Sequence, residues 1–357
     1  MVTIRDVADA AGVSTATVSR VFNESARVDA ATRKRVVVAA GRLNYWPNGA
    51  ARSLTTSRSH AIGVLLPDLF GEFFSEVIRG IDQAARRERY QILVSSSHAD
   101  GNELTAAVRS MNGRIDGLIA MALDKRSAEL IRRFRQSFPV VLMNTGFRIR
   151  GTSSVSIANF EGAFDMGRHL LKLGHHRLAI VKGPEGNTDA EERLRGFRKA
   201  IEDAGRARVS LVEVPGDFSE SSGYRAAQTL LKARSRPTAV FAANDYMAVG
   251  LMGAFRAEGL RVPDDIAVAG FDDIGMAQYL NPPLTTVHVD AYEEGGRAVR
   301  LLLASFDPST KSSTATEVLA THLVIRRSCG SRAPFEAGVE RRPGSRARTT
   351  RKEEVHR

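Results

Sequence analysis

The sequence predicts an α/β protein, with a small all-α N-terminal domain followed by two lobes that each contain a doubly wound parallel sheet. Residues 1–46 show helical periodicity and no strand pattern, whereas residues 60–328 alternate short apolar runs with amphipathic stretches. Residues 47–59 between them are small and polar, as in a linker that can form a short helix. Residues 329–357 are basic and poor in large apolar side chains, so we expect a disordered tail there.

The all-α domain has the side-chain pattern of a helix-turn-helix. Thr3 and Asp6 form a capping box for a first helix, and Ser14 can cap a second helix that starts at Thr15. Gly12 lies in the turn between the two helices, where the backbone needs a positive φ. Positions that must face a neighbouring helix carry small or apolar residues, namely Val7, Ala8, Ala11, Val13, Val18 and Val21. Together these features favour a DNA-binding motif over the alternative, an ordinary helical hairpin.

The body of the chain carries seven short apolar runs that are rich in β-branched residues. Apolar strands that alternate with helices are typical of a parallel sheet covered on both faces. Seven such units are more than one ordinary sheet holds, so we expect two lobes. The predicted strands are Ala61–Leu66, Gln91–Ser95, Gly117–Ala120, Val140–Met143, Leu178–Val181, Ala239–Ala242 and Ile266–Gly270.

The charge of the chain is concentrated at its two ends. The formal net charge is +11, of which residues 1–60 carry +5, residues 331–357 carry +4 and the remainder only +2. A basic head on a nearly neutral body suits the phosphate backbone of nucleic acid, although a solvated surface with a basic tail is the alternative. The single cysteine, Cys329, excludes an internal disulfide. No signal peptide is recognisable and no apolar run reaches the roughly 18 residues of a membrane span, so we expect a cytoplasmic protein without membrane contact.

Motifs of the enzymes that are built on doubly wound sheets are missing from the sequence. No two of the 30 glycines are two residues apart, which excludes the G-x-G of dinucleotide-binding and kinase loops. The sequence has no G-x-x-x-x-G-K-[ST], no G-x-S-x-G and no H-E-x-x-H. We therefore expect no catalytic residue, no cofactor and no metal site, with a sugar-metabolising enzyme as the less favoured alternative.

Two sets of motifs occur in one order along the chain. The first set comprises Thr3–Ala8, Ala11–Asn23, Leu43–Asn48 and Ala51–Leu54, and the second includes Arg193–Phe197, Gly216–Phe218, Asn244–Asp245 and Gly270–Asp273. Both sets resemble the lactose/galactose repressor (LacI/GalR) family, over residues 3 to about 328, and most of all its purine-repressor and ribose-repressor branch. The resemblance implies a sequence-specific transcriptional regulator, and a repressor rather than an activator is expected. It also implies a two-lobed body like that of type I periplasmic sugar-binding proteins.

The resemblance also implies how DNA is read. The second helix is expected to enter the major groove with its N-terminal end on the bases. We expect Arg20 to make a bidentate contact with guanine, with a phosphate contact as the alternative, while Thr15 and Ala16 reach neighbouring bases. Four further residues suit phosphate contacts, which position the helix without reading the sequence: Ser14, Thr17, Ser19 and Asn23.

The linker is the second expected DNA contact. In this family it folds as a hinge helix on the operator, and a leucine of the paired hinge helices opens the minor groove. Leu54 matches that leucine, and Asn48, Ala51 and Arg52 belong to the same element. The alternative for Leu54 is packing on the body. Two copies on the halves of a palindromic operator in double-stranded DNA are implied, so we expect a homodimer.

The body is expected to hold a small-molecule effector between its lobes, and in this family that is most often a sugar. A sugar needs aromatic faces for its C–H surface and planar polar groups for its hydroxyls. The residues that match such positions are Phe73, Phe74, Asn144, Arg193, Phe218, Asn244 and Asp272. Asp272 is the strongest candidate because a carboxylate can accept from two neighbouring hydroxyls, while Phe73 and Phe74 have the core as their alternative place.

A purine or other nucleobase is the alternative effector. The loop Gly186–Glu192 differs by about one residue in length from the purine-repressor pattern, and Phe73 stands where that branch has tyrosine. Both differences favour a sugar or a related polyol. The effector is expected to favour one angle between the lobes and so to change the separation of the paired hinge helices on the DNA.

Overall fold

The computed structural model describes residues 2–22, 28–46, 58–98, 101–121, 127–205, 209–307 and 314–330. The chain divides into two compact units, each made of three separate segments. Unit 1 comprises Met1–Asn159, Glu185–Glu191 and Val289–Thr321, and unit 2 comprises Phe160–Pro184, Glu192–His288 and His322–Arg357. Most of the predicted linker and tail lies outside the described residues, so the predicted domain boundaries stay predictions. Among the described residues, no helix is long and apolar enough to span a bilayer.

Unit 1 begins with three helices, α1 (Ile4–Ala11), α2 (Thr15–Phe22) and α3 (Ala30–Arg42). The predicted capping box is present at α1, because the Thr3 side chain accepts from the Asp6 N–H and the Thr3 N–H donates to Asp6 Oδ2 at 2.7 Å. At α2, the Thr17 N–H donates to Ser14 Oγ at 3.1 Å. Gly12 adopts a φ of 65° between the two helices, which is the left-handed conformation that the turn was expected to need.

The three helices enclose a small apolar core. Its buried members come from every helix and are Val7, Ala8, Ala11, Val18, Val21, Val36, Ala39 and Ala40. The predicted inward-facing residues are all among them except Val13, which is only partly buried against the same core. The side chain of Arg33 on α3 also donates to the Val21 carbonyl at 3.1 Å, which ties α3 to the end of α2. The arrangement leaves the N-terminal part of α2 exposed.

The rest of unit 1 is built on one six-stranded parallel sheet. Its strands are β1 (Ala61–Leu66), β2 (Gln91–Ser96), β3 (Gly117–Met121), β4 (Val140–Met143), β5 (Ser153–Ile157) and β11 (Thr316–Leu319), in the order β11–β5–β4–β3–β1–β2. The helices of this sheet are α4 (Glu72–Arg87), α5 (Gly101–Met111), α6 (Ser127–Phe134) and α11 (Ala291–Ala304). The central strands β1, β3 and β4 are buried along their whole length, as expected for a sheet covered on both faces.

Unit 2 contains a four-stranded parallel sheet and a short antiparallel pair. The parallel strands are β6 (Arg177–Val181), β7 (Ser210–Val214), β8 (Ala239–Ala242) and β9 (Ala267–Ala269), in the order β7–β6–β8–β9. Its helices are α7 (Asn159–Lys172), α8 (Thr188–Asp203), α9 (Glu220–Leu231) and α10 (Asp245–Ala257), of which α7 and α8 begin in unit 1. The pair is β10 (Thr286–His288) with β12 (His322–Val324). A 3₁₀ helix covers Gly275–Tyr279.

The predicted fold class is confirmed. Each of the seven predicted strands is present, with ends that differ by at most one residue. Strands β5, β7 and β11 were not predicted from the sequence, because exposed or half-buried positions outnumber buried ones in each and none forms an apolar run. Strands β10 and β12 were not predicted either, because each is only three residues long and gives no clear pattern.

Candidate DNA-binding surface and effector site

The predicted base-reading residues lie on the outer side of α2. Thr15, Ala16 and Arg20 are exposed, and Ser19 is half-buried. Positions four apart share a helix face, so Thr15 lies above Ser19 and Ala16 above Arg20 on one surface. At the start of that surface the Ser14 and Thr17 hydroxyls are 3.0 Å apart. Of the remaining predicted DNA contacts, Asn23, Asn48, Ala51, Arg52 and Leu54 lie outside the described residues.

Unit 1 holds three of the predicted effector residues near the carboxyl ends of its strands. Phe73 and Phe74 are half-buried in the first turn of α4, with their rings edge to face and 5.5 Å apart. Asn144 follows β4 with a φ of 49°, and only 3% of its surface is exposed. Neither polar atom of its side chain has a hydrogen-bond partner among the described residues. A buried amide in that state is unfavourable unless water or a ligand bonds it.

In unit 2, Arg193 and Asp272 form a buried ion pair. Arg193 lies on α8, and its Nη1 is 3.0 Å from Asp272 Oδ1. The same nitrogen donates to the Ala243 carbonyl at 2.6 Å. The guanidinium carbon is 3.8 Å from the centre of the Phe271 ring and 5.9 Å from that of Phe218. The pair therefore combines a planar donor group, a carboxylate and aromatic surface within one small region.

The pKa of Asp272 is affected more by burial than by the ion pair with Arg193. Burial raises the pKa of Asp272 to about 6, although the Arg193 guanidinium lowers it in part. Asp272 Oδ1 has the ion pair but no aligned hydrogen bond among the described residues. The residue also has a φ of 109°, which side-chain-bearing residues rarely adopt. The surroundings thus hold a buried acceptor in an unfavourable conformation, as is common at functional sites.

The loop that carries Asp272 is held by Asp245. The Ile274 N–H donates to Asp245 Oδ2 at 3.0 Å, and Thr286 Oγ1 lies 2.6 Å from Oδ1. Gly270 leaves room for this carboxyl group, because a Cβ at that position would lie 2.1 Å from Oδ1. No role for Asp245, Phe271 or Asp273 was predicted from the sequence. The only sequence signal for them is that they stand in two of the family motifs.

Asn244 has a structural role in addition to its predicted ligand contact. Its Oδ1 accepts from the Met247 N–H at 2.9 Å and so caps α10. Its Nδ2 donates to the Phe218 carbonyl at 3.0 Å, which helps to hold Phe218 at a φ of 70°. Both polar groups of the amide are therefore engaged within unit 2, and its contact with an effector stays a prediction.

A metal site needs several His, Cys, Asp or Glu side chains that converge on one point. The described ranges contain no group of three or more such side chains arranged to hold a metal ion. The expectation of no cofactor and no metal therefore stays a prediction for the whole chain.

Two parts of this chain match known protein families. Residues 3–48 match the model of bacterial regulatory proteins of the lacI family, and residues 168–329 match that of the periplasmic binding protein-like domain. The HTH-type transcriptional repressor PurR of Photobacterium profundum is 34% identical over 92% of this chain and 98% of its own length. This chain belongs to the LacI family. As predicted, it is a DNA-binding transcriptional regulator with a ligand-binding domain.

Two solved LacI-family structures extend the comparison. The lac repressor dimer bound to operator and the anti-inducer ONPF is 32% identical, with a TM-score of 0.82 over 92% of this chain and 99% of that one. The complex of the transcriptional regulator CelR with cellobiose is 30% identical, with a TM-score of 0.68 over 92% and 100%. These relatives are regulators rather than enzymes, and their names include both a PurR repressor and a sugar complex.

Proposed function

We propose that this LacI-family regulator is a repressor without catalytic activity, that it binds a palindromic operator as a homodimer, and that a sugar controls this binding. The observation that carries the sugar proposal is the buried Arg193–Asp272 pair beside Phe218 and Phe271. A guanidinium donates to two neighbouring oxygens, and a carboxylate accepts from hydroxyls. An aromatic ring suits the C–H face of a sugar, so the set matches a polyhydroxylated ligand. The cellobiose-bound relative supports the same class.

A nucleobase is the second candidate, because PurR repressors are among the relatives. The half-buried rings of Phe73 and Phe74 in unit 1 could stack on a base. Asp272 is a carboxylate acceptor that would bind a base N–H as well as a hydroxyl. A sugar effector and a nucleobase effector make different predictions. Only ligands of the correct class should stabilise the protein against unfolding, which can be measured directly.

The proposed dimer is supported by the operator-bound lac repressor, which is described as a dimer. On unit 2, the side chains of Met276 and Tyr279 are 54% and 80% exposed, and apolar side chains of this size suit contact with a second copy. Because an operator-binding protein must work where the DNA is, we also propose that the protein acts in the cytoplasm.

Thermal unfolding with sugars, polyols and nucleobases tests the effector class. A ligand present at 100 times its dissociation constant stabilises the folded protein by about 2.7 kcal/mol. We expect a rise in melting temperature of roughly 2–4 °C with a sugar. Asp272→Asn should abolish that rise, while the control Asp264→Asn should keep it, because the Asp264 side chain is 61% exposed and pairs with the exposed Arg261. A rise with nucleobases alone would overturn the sugar proposal.

The affinity for the effector is expected to depend on pH. Below about pH 6 Asp272 takes up a proton, so it loses its charge and one acceptor oxygen, and its attraction to Arg193 weakens. If the effector binds the ionised form, the dissociation constant at pH 5 should be about tenfold higher than at pH 7.5. Calorimetric titration of the natural protein at both pH values measures this ratio. An unchanged dissociation constant would show that Asp272 does not contact the effector through its charge.

Replacement of Arg20 tests the proposed reading of DNA. Arg20→Ala should reduce discrimination at one operator base pair by about 1–3 kcal/mol, because a bidentate contact to guanine is lost. Competition between a selected operator and its single-base variants measures this loss. The control is Lys34→Ala, which removes an exposed positive charge from α3 and should leave the ratio between sequences unchanged. An equal loss on all sequences with Arg20→Ala would instead identify a phosphate contact.

A further inference from the structure

Asp245 is a buried acid that the proposed function does not itself use. It lies in the first turn of α10, and its relative exposure is 0%. Its side chain meets the backbone of Ile274 and the hydroxyl of Thr286. Both partners are neutral, and Asp245 forms no ion pair with any residue in the described ranges. An ionised carboxylate that is fully removed from water with only two neutral donors is energetically unfavourable.

The charges around Asp245 make ionisation still less favourable. Two other carboxylates, those of Asp272 and Asp273, act on it electrostatically. The two arginines of this region pair with those two acids, because Arg193 is 3.0 Å from Asp272 and Arg326 is 2.8 Å from Asp273, and the His288 ring nitrogen Nδ1 lies 2.9 Å from Asp273. Burial first, and then the charge of Asp272, raise the pKa of Asp245 well above its usual value; the hydrogen bonds from Thr286 and Ile274 lower it in part, and Asp273 adds the smallest rise.

We propose that Asp245 is a positioning residue that keeps its proton at neutral pH, and that the neutral carboxyl group holds loop 270–274 so that Asp272 is presented to the effector. The proton lies on Oδ1, which donates to Thr286 Oγ1 over 2.6 Å. Oδ2 remains the acceptor for the Ile274 N–H at 3.0 Å. The same O···O distance serves a protonated acid as donor and an ionised acid as acceptor.

The loop needs such a restraint because it contains two strained residues. Asp272 and Asp273 have φ values of 109° and 57°, and neither is glycine. Loss of the restraint would let the backbone relax and move Asp272 away from Arg193. A neutral acid restrains the loop without adding a third negative charge to it, which an ionised Asp245 would do. This positioning role rests on the proposed function, whereas the presence of the proton does not.

Infrared spectroscopy of the full chain tests the proton directly. At pH 8, where Asp272 is ionised, the natural protein should show the C=O stretch of a buried carboxylic acid. Asp245→Asn should remove this band, and Thr286→Val should move it, because the acid then loses its acceptor. The absence of the band from the natural protein would overturn the proposal, whatever the variants do.

Unfolding in denaturant between pH 5 and pH 8 gives a second readout. The folded state holds a proton that the unfolded state releases above its ordinary pKa, so the stability of the natural protein falls as pH rises. Asp245→Asn mimics the neutral acid, since its amide can donate to Thr286 and accept from Ile274. Relative to this variant, the unfolding equilibrium constant of the natural protein should rise by up to about tenfold per pH unit. Equal slopes, or a variant that does not fold, would contradict a neutral Asp245.

The positioning role has its own test. With a sugar that stabilises the natural protein, Asp245→Asn should keep the rise in melting temperature and Asp245→Ala should lose it. Loss in both variants would overturn the role of the neutral acid in positioning Asp272. If no sugar stabilises the natural protein, the proposed effector class fails, while the infrared and pH results still decide the protonation of Asp245.

Discussion

Arg193→Met is expected to lower the free energy of unfolding by about 3–5 kcal/mol at neutral pH, because it leaves the buried carboxylate of Asp272 without its cation. The Ala243 carbonyl loses its donor at the same time. The stabilisation by an effector should disappear as well, since the donor group for its hydroxyls is gone. Part of the loss should be recovered as the pH falls, because without Arg193 the pKa of Asp272 lies higher than in the natural protein and the protonated acid carries no unpaired charge.

The control for this variant lies on the same helix. Arg198 is also on α8 and is paired with Glu213, but its side chain is 48% exposed. Arg198→Met should therefore lower the free energy of unfolding by less than about 1 kcal/mol, because exposed ion pairs contribute little. Denaturant unfolding of both variants at pH 7.5 and pH 5 makes the comparison. Similar losses in the two variants would contradict the buried, functional character of the Arg193–Asp272 pair.

Val36→Ala is expected to weaken DNA binding by destabilising the three-helix domain. Val36 is fully buried in the core of α1, α2 and α3, which has eight buried members among the described residues. Removing two methyl groups there is expected to destabilise the domain by about 2–3 kcal/mol, because the cavity cannot be refilled by so few neighbours. A small domain has a low free energy of unfolding. In a large fraction of the molecules this domain should therefore be unfolded, and operator affinity should fall.

The adjacent residue provides the matched control. Val37 is 54% exposed on the same helix, so Val37→Ala should change stability by no more than about 0.5 kcal/mol. Circular dichroism and titration with an operator duplex measure both variants. Equal operator affinity for Val36→Ala and the natural protein would show that the three-helix core does not limit DNA binding.

Local patterns in the sequence predicted what depends on near neighbours. The capping box of Thr3 and Asp6, the Ser14 cap and the turn at Gly12 are contacts within a few residues, and all are present. Strands such as β1 and β3 were predicted because every one of their residues is buried, which requires an unbroken apolar run. The motifs that identified the family, including Gly270–Asp273, are likewise continuous in sequence.

Contacts between distant residues were beyond such patterns. The sequence named Arg193 and Asp272 separately, but only the fold brings residues 79 positions apart to 3.0 Å. Asn244 was predicted for its polar side chain alone, and the structure shows that its amide caps α10 and bonds Phe218. The unbonded state of the Asn144 amide also depends on what surrounds it in space.

The sequence by itself thus determined the helix-turn-helix, the class of the parallel sheets and the family, because each follows from residue types at short, regular spacing. The tertiary structure decided the ionisation of the candidate effector site. Whether Asp245 holds a proton depends on complete burial and on carboxylates that approach it from a loop that begins 25 residues further along the chain. Burial and long-range electrostatics are properties of the packed chain, since both depend on the removal of water and on charges brought together in space.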